Sequence, residues 1–371
     1  MISVSTPYLA GNEKQYLAEC IDSGWVSSDG PFVTRFEQAM AATVQRQYGV
    51  ACANGTAALD LAVRALDLQP GDEVILPAFT IISCVRALVL QGLRPVLVDS
   101  CPRTFNMQAA DVAAKITTKT KAILLVHLYG LCVDLDPILA LAQRYQLKVI
   151  EDAAEVLGQH YRGAPCGSFG DISVFSFYAN KQVTTGEGGM VLTNDPQLAE
   201  RCRSLRNLAF SPDPARRFIH EELGWNYRMT NLQAALGVAQ LENLSTVVAL
   251  KRQMGARYQQ LLADLPGVTL PLTGTDYCQN IYWVFTLTLQ DEVKLSVPEL
   301  MAALAKRGIG SRPFFYPLHL QPVFAGLDWT REQQLPHAEW LYTRGLYLPS
   351  GAGITAAEQQ QVATVLAELL R

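Results

Sequence analysis

The sequence predicts an α/β protein: a parallel sheet covered by helices on both sides over the first two thirds, then a smaller α+β unit. Three observations carry this. Short apolar, β-branched runs alternate with helical patterns across the first two thirds. Those runs are apolar at consecutive positions, which buries both faces of each strand. Beyond about residue 244 the alternation gives way to one strand run and further helices.

In chain order, the first helical pattern is Thr56–Leu66, followed by a strand run at Glu73–Leu76. The sequence then reads as helix Ile82–Leu90, strand Pro95–Val98, helix Ala109–Lys115 and strand Ala122–Val126. Helix Asp136–Tyr145 and strand Lys148–Ile150 complete the alternation. Ile172–Phe177 and Gly189–Thr193 read as strands bracketing a glycine-rich turn, and Thr230–Leu265 as one long helical stretch. The second unit carries a strand at Tyr282–Leu289, a helix at Pro298–Lys306 opened by proline, and a terminal helix from Ala356 to Leu370. The expected division is a large domain over 1–244 and a small one over 245–371.

Composition narrows the function classes. Of the 371 residues 49% are hydrophobic and 17% charged, which excludes intrinsic disorder. A folded chain of this mass exposes roughly 15,000 Å². Thirty basic against 34 acidic residues leave a net charge of −4, so a nucleic-acid-binding face is not expected, though a local basic pocket for a phosphate is compatible. The longest apolar stretches, such as Ala122 to Val126, are strand-length, and the N-terminus lacks a signal-peptide pattern. No membrane association and a cytoplasmic location are therefore expected. The eight cysteines include no C-x-x-C spacing, so reduced, mostly buried thiols are expected and neither a zinc site nor a redox pair.

Three segments carry chemistry together. In Ala53-Asn54-Gly55-Thr56-Ala57-Ala58-Leu59 a small-residue turn opens into a helix, whose free N–H groups and Thr56 hydroxyl suit an anion. An ordinary cap at Asn54 or Thr56 explains that segment as well. In Val149-Ile150-Glu151-Asp152 two acids follow an apolar strand, and Asp152 would reach inward to a buried cation or cap the next helix. In Phe175-Ser176-Phe177-Tyr178-Ala179-Asn180-Lys181, Lys181 stands in a stretch nearly free of other charge. Flanking aromatics would desolvate it and lower its pKa toward a nucleophilic amine, while Ser176 would end a strand with its hydroxyl free for a phosphate. The three together meet the needs of pyridoxal 5′-phosphate: Gly55, Thr56 and Ser176 for the phosphate, Asp152 for the pyridinium, Lys181 for the aldehyde.

The chain also resembles a known family along nearly its whole length. The motifs are G-N-E at 11–13, D-S-G-W-V-S-S at 22–28, N-G-T-A-A-L at 54–59, P-G-D-E-V-I-L-P at 70–77, V-H-L-Y-G at 126–130 and E-D-A-A-E at 151–155. G-S-F-G-D at 167–171, N-K-x-x-T-T-G-E-G-G-M at 180–190 and N-Y-R-M-T-N at 226–231 continue the match. These resemble the DegT-type nucleotide-sugar aminotransferases of fold type I, the aspartate aminotransferase superfamily. The resemblance implies a mostly parallel seven-stranded sheet and pyridoxal 5′-phosphate as cofactor. It implies that Asn226 reaches the cofactor phosphate of a neighbouring subunit, so that sites are shared in a homodimer. Glu155 occupies the position implied to lie near the ring oxygen. Trp25 and the segment Arg312–His319, with Tyr316 and His319 in it, resemble sugar-side and entrance contacts, with a packed aromatic and a structural histidine as the open alternatives for Trp25 and His319. One departure is Ile81, where the family places an aromatic that stacks on the ring; either Ile81 or Phe79 would take that place.

The reaction implied moves an amino group from glutamate to a keto sugar. Within the family the chain most resembles the GDP-perosamine synthase group, which aminates a GDP-linked 4-keto-6-deoxy sugar for surface polysaccharide. Arg206–Phe210 and His319–Phe324 fit instead a branch that aminates C8 of an octulosonic acid. A sugar dehydratase of the same fold would carry His at the Lys181 position, and a non-catalytic relative would be free to lose Lys181 or Asp152. A diphosphate substrate would need a local basic patch, for which Arg228, Arg312 and Arg216 or Arg217 are the candidates, unless they pair with acids such as Glu221 and Glu222.

Overall fold

The computed structural model describes residues 1–331 and 333–370. Seven strands form the main sheet: β1 (Tyr48–Cys52), β2 (Glu73–Pro77), β3 (Arg94–Val98), β4 (Thr120–Val126), β5 (Lys148–Asp152), β8 (Ile172–Ser176) and β9 (Gly189–Thr193). A two-stranded ribbon, β6 (His160–Tyr161) with β7 (Ala164–Pro165), lies between β5 and β8 in sequence. The sheet order is β1-β9-β8-β5-β4-β2-β3. Only β9 runs against its neighbours, so the other six strands point their carboxyl ends to one edge.

Both faces are buried because each run is apolar throughout. Within β4, Ala122, Leu124 and Val126 join the core formed with helices Gly55–Ala65, Ile82–Val89 and Pro196–Arg206, whereas Ile123 and Leu125 join the opposite one. That opposite core is closed by helices Glu13–Ser23, Pro31–Thr43, Leu135–Tyr145 and Asn231–Glu242. The chain exposes 16,021 Å², within about a tenth of the surface expected for its mass. All eight cysteines are free thiols, and seven of them are buried.

The second unit is a four-stranded antiparallel sheet, ordered β10 (Val268–Thr269), β11 (Phe285–Leu289), β13 (Gly345–Leu348), β12 (Arg312–Pro313). Helices Leu244–Leu261, Val297–Lys306 and Ala356–Leu370 share its core. Ile2 also lies in that core and bridges Ile309, so the first residues pack far from the sheet they precede. Phe314, Leu318 and Phe324, in contrast, pack into the core of the large sheet.

Two expectations shift. The stretch Thr230–Leu265 is two helices, Asn231–Glu242 and Leu244–Leu261, broken at Asn243. The Asn243 amide donates back to the Ala239 carbonyl at 3.2 Å, a local bond that competes with the helical ladder. The strand expected over Tyr282–Leu289 begins only at Phe285. Tyr282 is left-handed (φ 50°), with its N–H bonded to Asn280 Oδ1 at 2.7 Å, and this turns the chain inward before the strand starts.

Gly130 admits that turn. Its φ is 95°, its carbonyl accepts the Ile281 N–H at 3.1 Å, and a Cβ there would lie 2.6 Å from the Trp283 nitrogen. Gly130→Ala therefore forces backbone apart at a left-handed position. The expected loss is about 2 kcal/mol or more, or roughly 3 °C or more in melting temperature. Thermal denaturation followed by circular dichroism checks it, and an unchanged melting temperature would refute the close-approach account.

Candidate active site

The carboxyl ends of the strands open onto a cavity of about 720 Å³, where open parallel sheets hold their ligands. Its lining draws on the turn after β1 (Asn54, Gly55, Thr56), the turn after β2 (Thr80, Ile81), and the strand ends Val126, Asp152 and Ser176. Lys181, from the loop joining β8 to β9, and Trp283, Phe315 and Tyr347, from the second unit, complete the wall.

Asn54 caps the helix Gly55–Ala65, its side chain accepting the Ala57 N–H at 2.8 Å. The N–H groups of the first turn have no intrahelical acceptor, so this end of the helix stabilises an anion. Thr56 does not cap; its hydroxyl lies 2.8 Å from that of Ser83. Ser176 ends β8 against the same turn. A Cβ on Gly55 would approach Ser176 Cβ to 2.7 Å, so only glycine lets the strand end and the helix start close around one small space.

Period two in β5 separates the paired acids. Glu151 points into the opposite face, where His127 Nε2 (3.0 Å) and the N–H groups of Gly167 (2.6 Å) and Phe169 (2.8 Å) saturate its oxygens. Asp152 points into the cavity and caps no helix. Its Oδ1 accepts the Ala154 N–H at 3.1 Å, and its Oδ2 accepts the Cys84 thiol at 3.3 Å. Burial pushes the Asp152 carboxyl upward, while Ala154, Cys84 and Lys181 pull it back. A buried carboxylate with so few donors is stabilised by any cation placed beside it.

Lys181 keeps only 11% of its side chain exposed, and loss of hydration lowers its pKa below the usual 10.5 against the opposing pull of Glu155 and Asp152. Its Nζ lies 3.8 Å from the centroid of the Trp283 ring and 3.9 Å from Glu155 Oε1. Glu155 is pushed up to about 7 by burial, and its Oε2 accepts the Tyr129 N–H at 2.7 Å. The aromatics next to Lys181 in sequence do not cover it alone: Phe177 turns into the opposite core against Phe36, 4.9 Å away. The ring beneath the amine is Trp283, whose indole N–H also bonds the Asn180 carbonyl at 3.0 Å. Ile81, 46% exposed, lines the cavity, whereas Phe79 is fully buried among Tyr129, Phe314 and Phe315. Of the two residues considered for stacking, only Ile81 faces the site.

The remaining expected residues lie elsewhere. Asn226 is exposed and accepts from Arg228 Nε at 3.0 Å. Arg228 also binds Asn207 Oδ1 at 3.0 Å and lines a separate cleft of about 750 Å³ together with Ser28, Asp29, Arg203, Phe210 and Arg217. Trp25 is half exposed near the start of the chain. Arg312 is exposed on β12, where it pairs in register with Tyr347. Tyr316 packs edge-on against Tyr342 at 4.7 Å. His319 is buried, with Nε2 3.0 Å from Glu339. Arg216 pairs with Glu221 at 3.0 Å and Glu222 with Arg201, whereas Arg217 lies over the Phe210 ring at 4.6 Å.

Known proteins share this sequence pattern and fold. The profile of the DegT/DnrJ/EryC1/StrS aminotransferase family matches residues 7–367. A GDP-perosamine synthase of Caulobacter vibrioides is 45% identical over 373 residues, covering 100% of this chain and 98% of its own. A GDP-perosamine synthase of Escherichia coli O157:H7 is 42% identical, covering 94% and 93%. The crystal structure of the aminotransferase TlmJ from Streptoalloteichus hindustanus superposes with a TM-score of 0.91 at 29% identity, covering 100% and 99%. The chain belongs to the DegT/DnrJ/EryC1/StrS aminotransferase family and is a pyridoxal 5′-phosphate-dependent sugar aminotransferase. The residues fit that cofactor: a glycine-built anion cradle, a buried carboxylate with no ion-pair partner among the described residues, and a desolvated lysine lie around one cavity.

Lys181→Ala is expected to abolish turnover by roughly a thousandfold or more, and Asp152→Asn to lower it by at least about a hundredfold, with both variants folded by circular dichroism. Capture of cofactor by apo-enzyme needs the neutral amine, so its rate should rise with pH to an inflection below 10.5. Glu155→Gln removes a charge that raises the Lys181 pKa and should move that inflection lower. Stopped-flow absorbance reads both, and an upward move would contradict the assigned coupling.

Proposed function

We propose that this chain transfers the amino group of glutamate to a nucleotide-linked 4-keto-6-deoxy sugar, as a GDP-perosamine synthase does, for surface polysaccharide formation. The whole-length likeness to the enzymes of that name from Caulobacter and Escherichia carries the reading. We further propose a cytoplasmic homodimer with shared sites. Among the described residues no helix is long and apolar enough to cross a membrane.

Bound pyridoxal 5′-phosphate supplies an aldehyde and an electron-withdrawing ring. Gly55, Thr56 and Ser176 would hold its phosphate, and Asp152 the protonated ring nitrogen. Trp283, Phe315 and Tyr347 give the cavity an apolar wall on the side of the second unit, which would exclude water. In the first half of the cycle Lys181 Nζ would take the proton leaving the glutamate α-carbon and pass it to the cofactor; in the second half it would withdraw a proton there and deliver it to the sugar carbon that receives the amine. Glu155, 3.9 Å away, would steady the transient ammonium within each transfer.

The separate cleft beside Asn226 supports the shared-site reading. Arg217 and Arg228 line it with no carboxylate partner among the described residues, and Asn226 adjoins it rather than its own chain's cavity. A second copy presenting Asn226 and Arg228 to a neighbour's cavity would add a phosphate ligand and a cation for the sugar's diphosphate.

Incubation with glutamate and a panel of keto sugars, with mass detection of the aminated product, tests the substrate assignment; amination of no nucleotide sugar would overturn it. Mixing Asn226→Asp with Lys181→Ala tests the sharing. A heterodimer then holds one doubly damaged and one intact site, so random exchange should restore roughly a quarter of wild-type activity. No recovery after proven exchange would place Asn226 in its own chain's chemistry or outside it. Arg312→Glu should raise KM for the nucleotide sugar roughly tenfold or more and leave that for glutamate unchanged. A sugar KM insensitive to both salt and Arg312 would favour an acid sugar without a diphosphate.

A further inference from the structure

Helices Gly55–Ala65 and Ile82–Val89 meet rung by rung at one end of the cavity. The first rung is the Thr56–Ser83 hydroxyl pair, 2.8 Å apart. One turn further along each helix, Arg86 Nη1 spans both oxygens of Asp60 at 2.8 Å each. Asp60 is almost fully buried and also accepts the Tyr227 hydroxyl at 3.0 Å. Arg86 itself remains 38% accessible and lines the cavity with Thr56, Ser83 and Tyr227. Helical side chains lean toward the helix N-terminus, so Arg86 is directed back toward the first rung.

Charge singles this residue out. Among the described residues lining the cavity, Lys181 and Arg86 are the only cations. Lys181 is committed to the aldehyde, beside Trp283 and Glu155. A phosphate monoester carries close to two negative charges, more than helix N–H groups and hydroxyls neutralise. Only Nη1 of Arg86 is engaged by Asp60, which leaves Nε and Nη2 to donate.

We propose that Arg86, braced by Asp60 and Tyr227, is the cation of the cofactor's phosphate seat within each chain. This rests on the reading that the phosphate lies at Gly55, Thr56 and Ser176. A nucleotide sugar's diphosphate presents the same chemistry, so the test separates the two sources.

Apo-enzyme is titrated with pyridoxal 5′-phosphate and with pyridoxal, and binding is read from intrinsic fluorescence. Arg86→Met should weaken the phosphorylated form roughly 10- to 100-fold and leave pyridoxal unchanged, with Arg86→Lys between. Arg86→Met strands a buried carboxylate, so Asp60→Asn/Arg86→Met is measured too and should show the same selective loss. Ser176→Ala and Thr56→Ala test the seat. If they weaken the phosphorylated form while the Arg86 variants do not, Arg86 is not its cation and the seat stands. If neither set does, the seat itself is misplaced. Equal loss of both ligands in the double variant would make Arg86 structural. A raised KM for nucleotide sugar at saturating cofactor, with cofactor affinity intact, would assign Arg86 to the substrate and overturn the proposal.

Discussion

A lysine amine removed from water loses hydration that protein contacts must replace, and the site depends on how that replacement is arranged at Lys181. Trp283 supplies a ring face 3.8 Å from the amine, and Glu155 a carboxylate 3.9 Å away. Neither saturates it. A cation–π contact and a looser ion pair offset part of the desolvation cost, and the balance leaves the pKa below that of an exposed lysine. The amine is thereby available as nucleophile and base without being anchored as a permanent ammonium.

Trp283 is held by elements well away from the chemistry. Tyr282 turns left-handed, Gly130 makes room for the two following backbone nitrogens, and the indole N–H fastens to the lysine loop at Asn180. From behind, the buried Lys251 donates to the Trp283 carbonyl at 2.7 Å and to the Ser350 carbonyl. Lys251 has no acid partner among the described residues, and burial lowers its pKa to about 7. Two lysines thus flank one tryptophan: one grips its backbone, the other rests over its ring. Under the role proposed for Lys181 the second unit serves the reaction through this joint, because the ring lying against the amine is that of Trp283.

The legible part of the site was what lies near strand ends. Gly55, Thr56, Asp152, Ser176 and Lys181 sit on or just beyond apolar runs whose ends the sequence marks, and all five line one cavity. The strands fell within a few residues of expectation because runs apolar at consecutive positions have few other folded solutions. Helices Glu13–Ser23 and Pro31–Thr43 precede the first strand and so stand outside the strand–helix alternation that marks the others. Trp283 and Tyr347 were missed for a different reason, whereas Phe315 falls in the segment Arg312–His319 that the family resemblance had pointed to. The two lie more than 100 residues beyond Lys181 and read as ordinary apolar positions of a second core. Only the left-handed turn at Tyr282 redirects Trp283, and no local residue pattern announces it.

Arginine placement follows from the same separation of near and far. Arg86 could have been read from its spacing, since Asp60 and Arg86 each follow a hydroxyl residue by one helical turn, but that relation has meaning only once the two helices are known to abut. Arg228 shows the converse. Its neighbours are Asn207 and Asn226, and it has no carboxylate partner among the described residues, on a protein whose net charge is −4. An acidic protein draws an anionic substrate only by concentrating positive potential where the anion must pass. Within one chain that concentration is split: Arg86 and Lys181 inside the cavity, Arg217 and Arg228 in a cleft beside it. Under the shared-site reading the split is what lets cofactor and sugar be held independently, because the cation facing each anion then comes from a different chain.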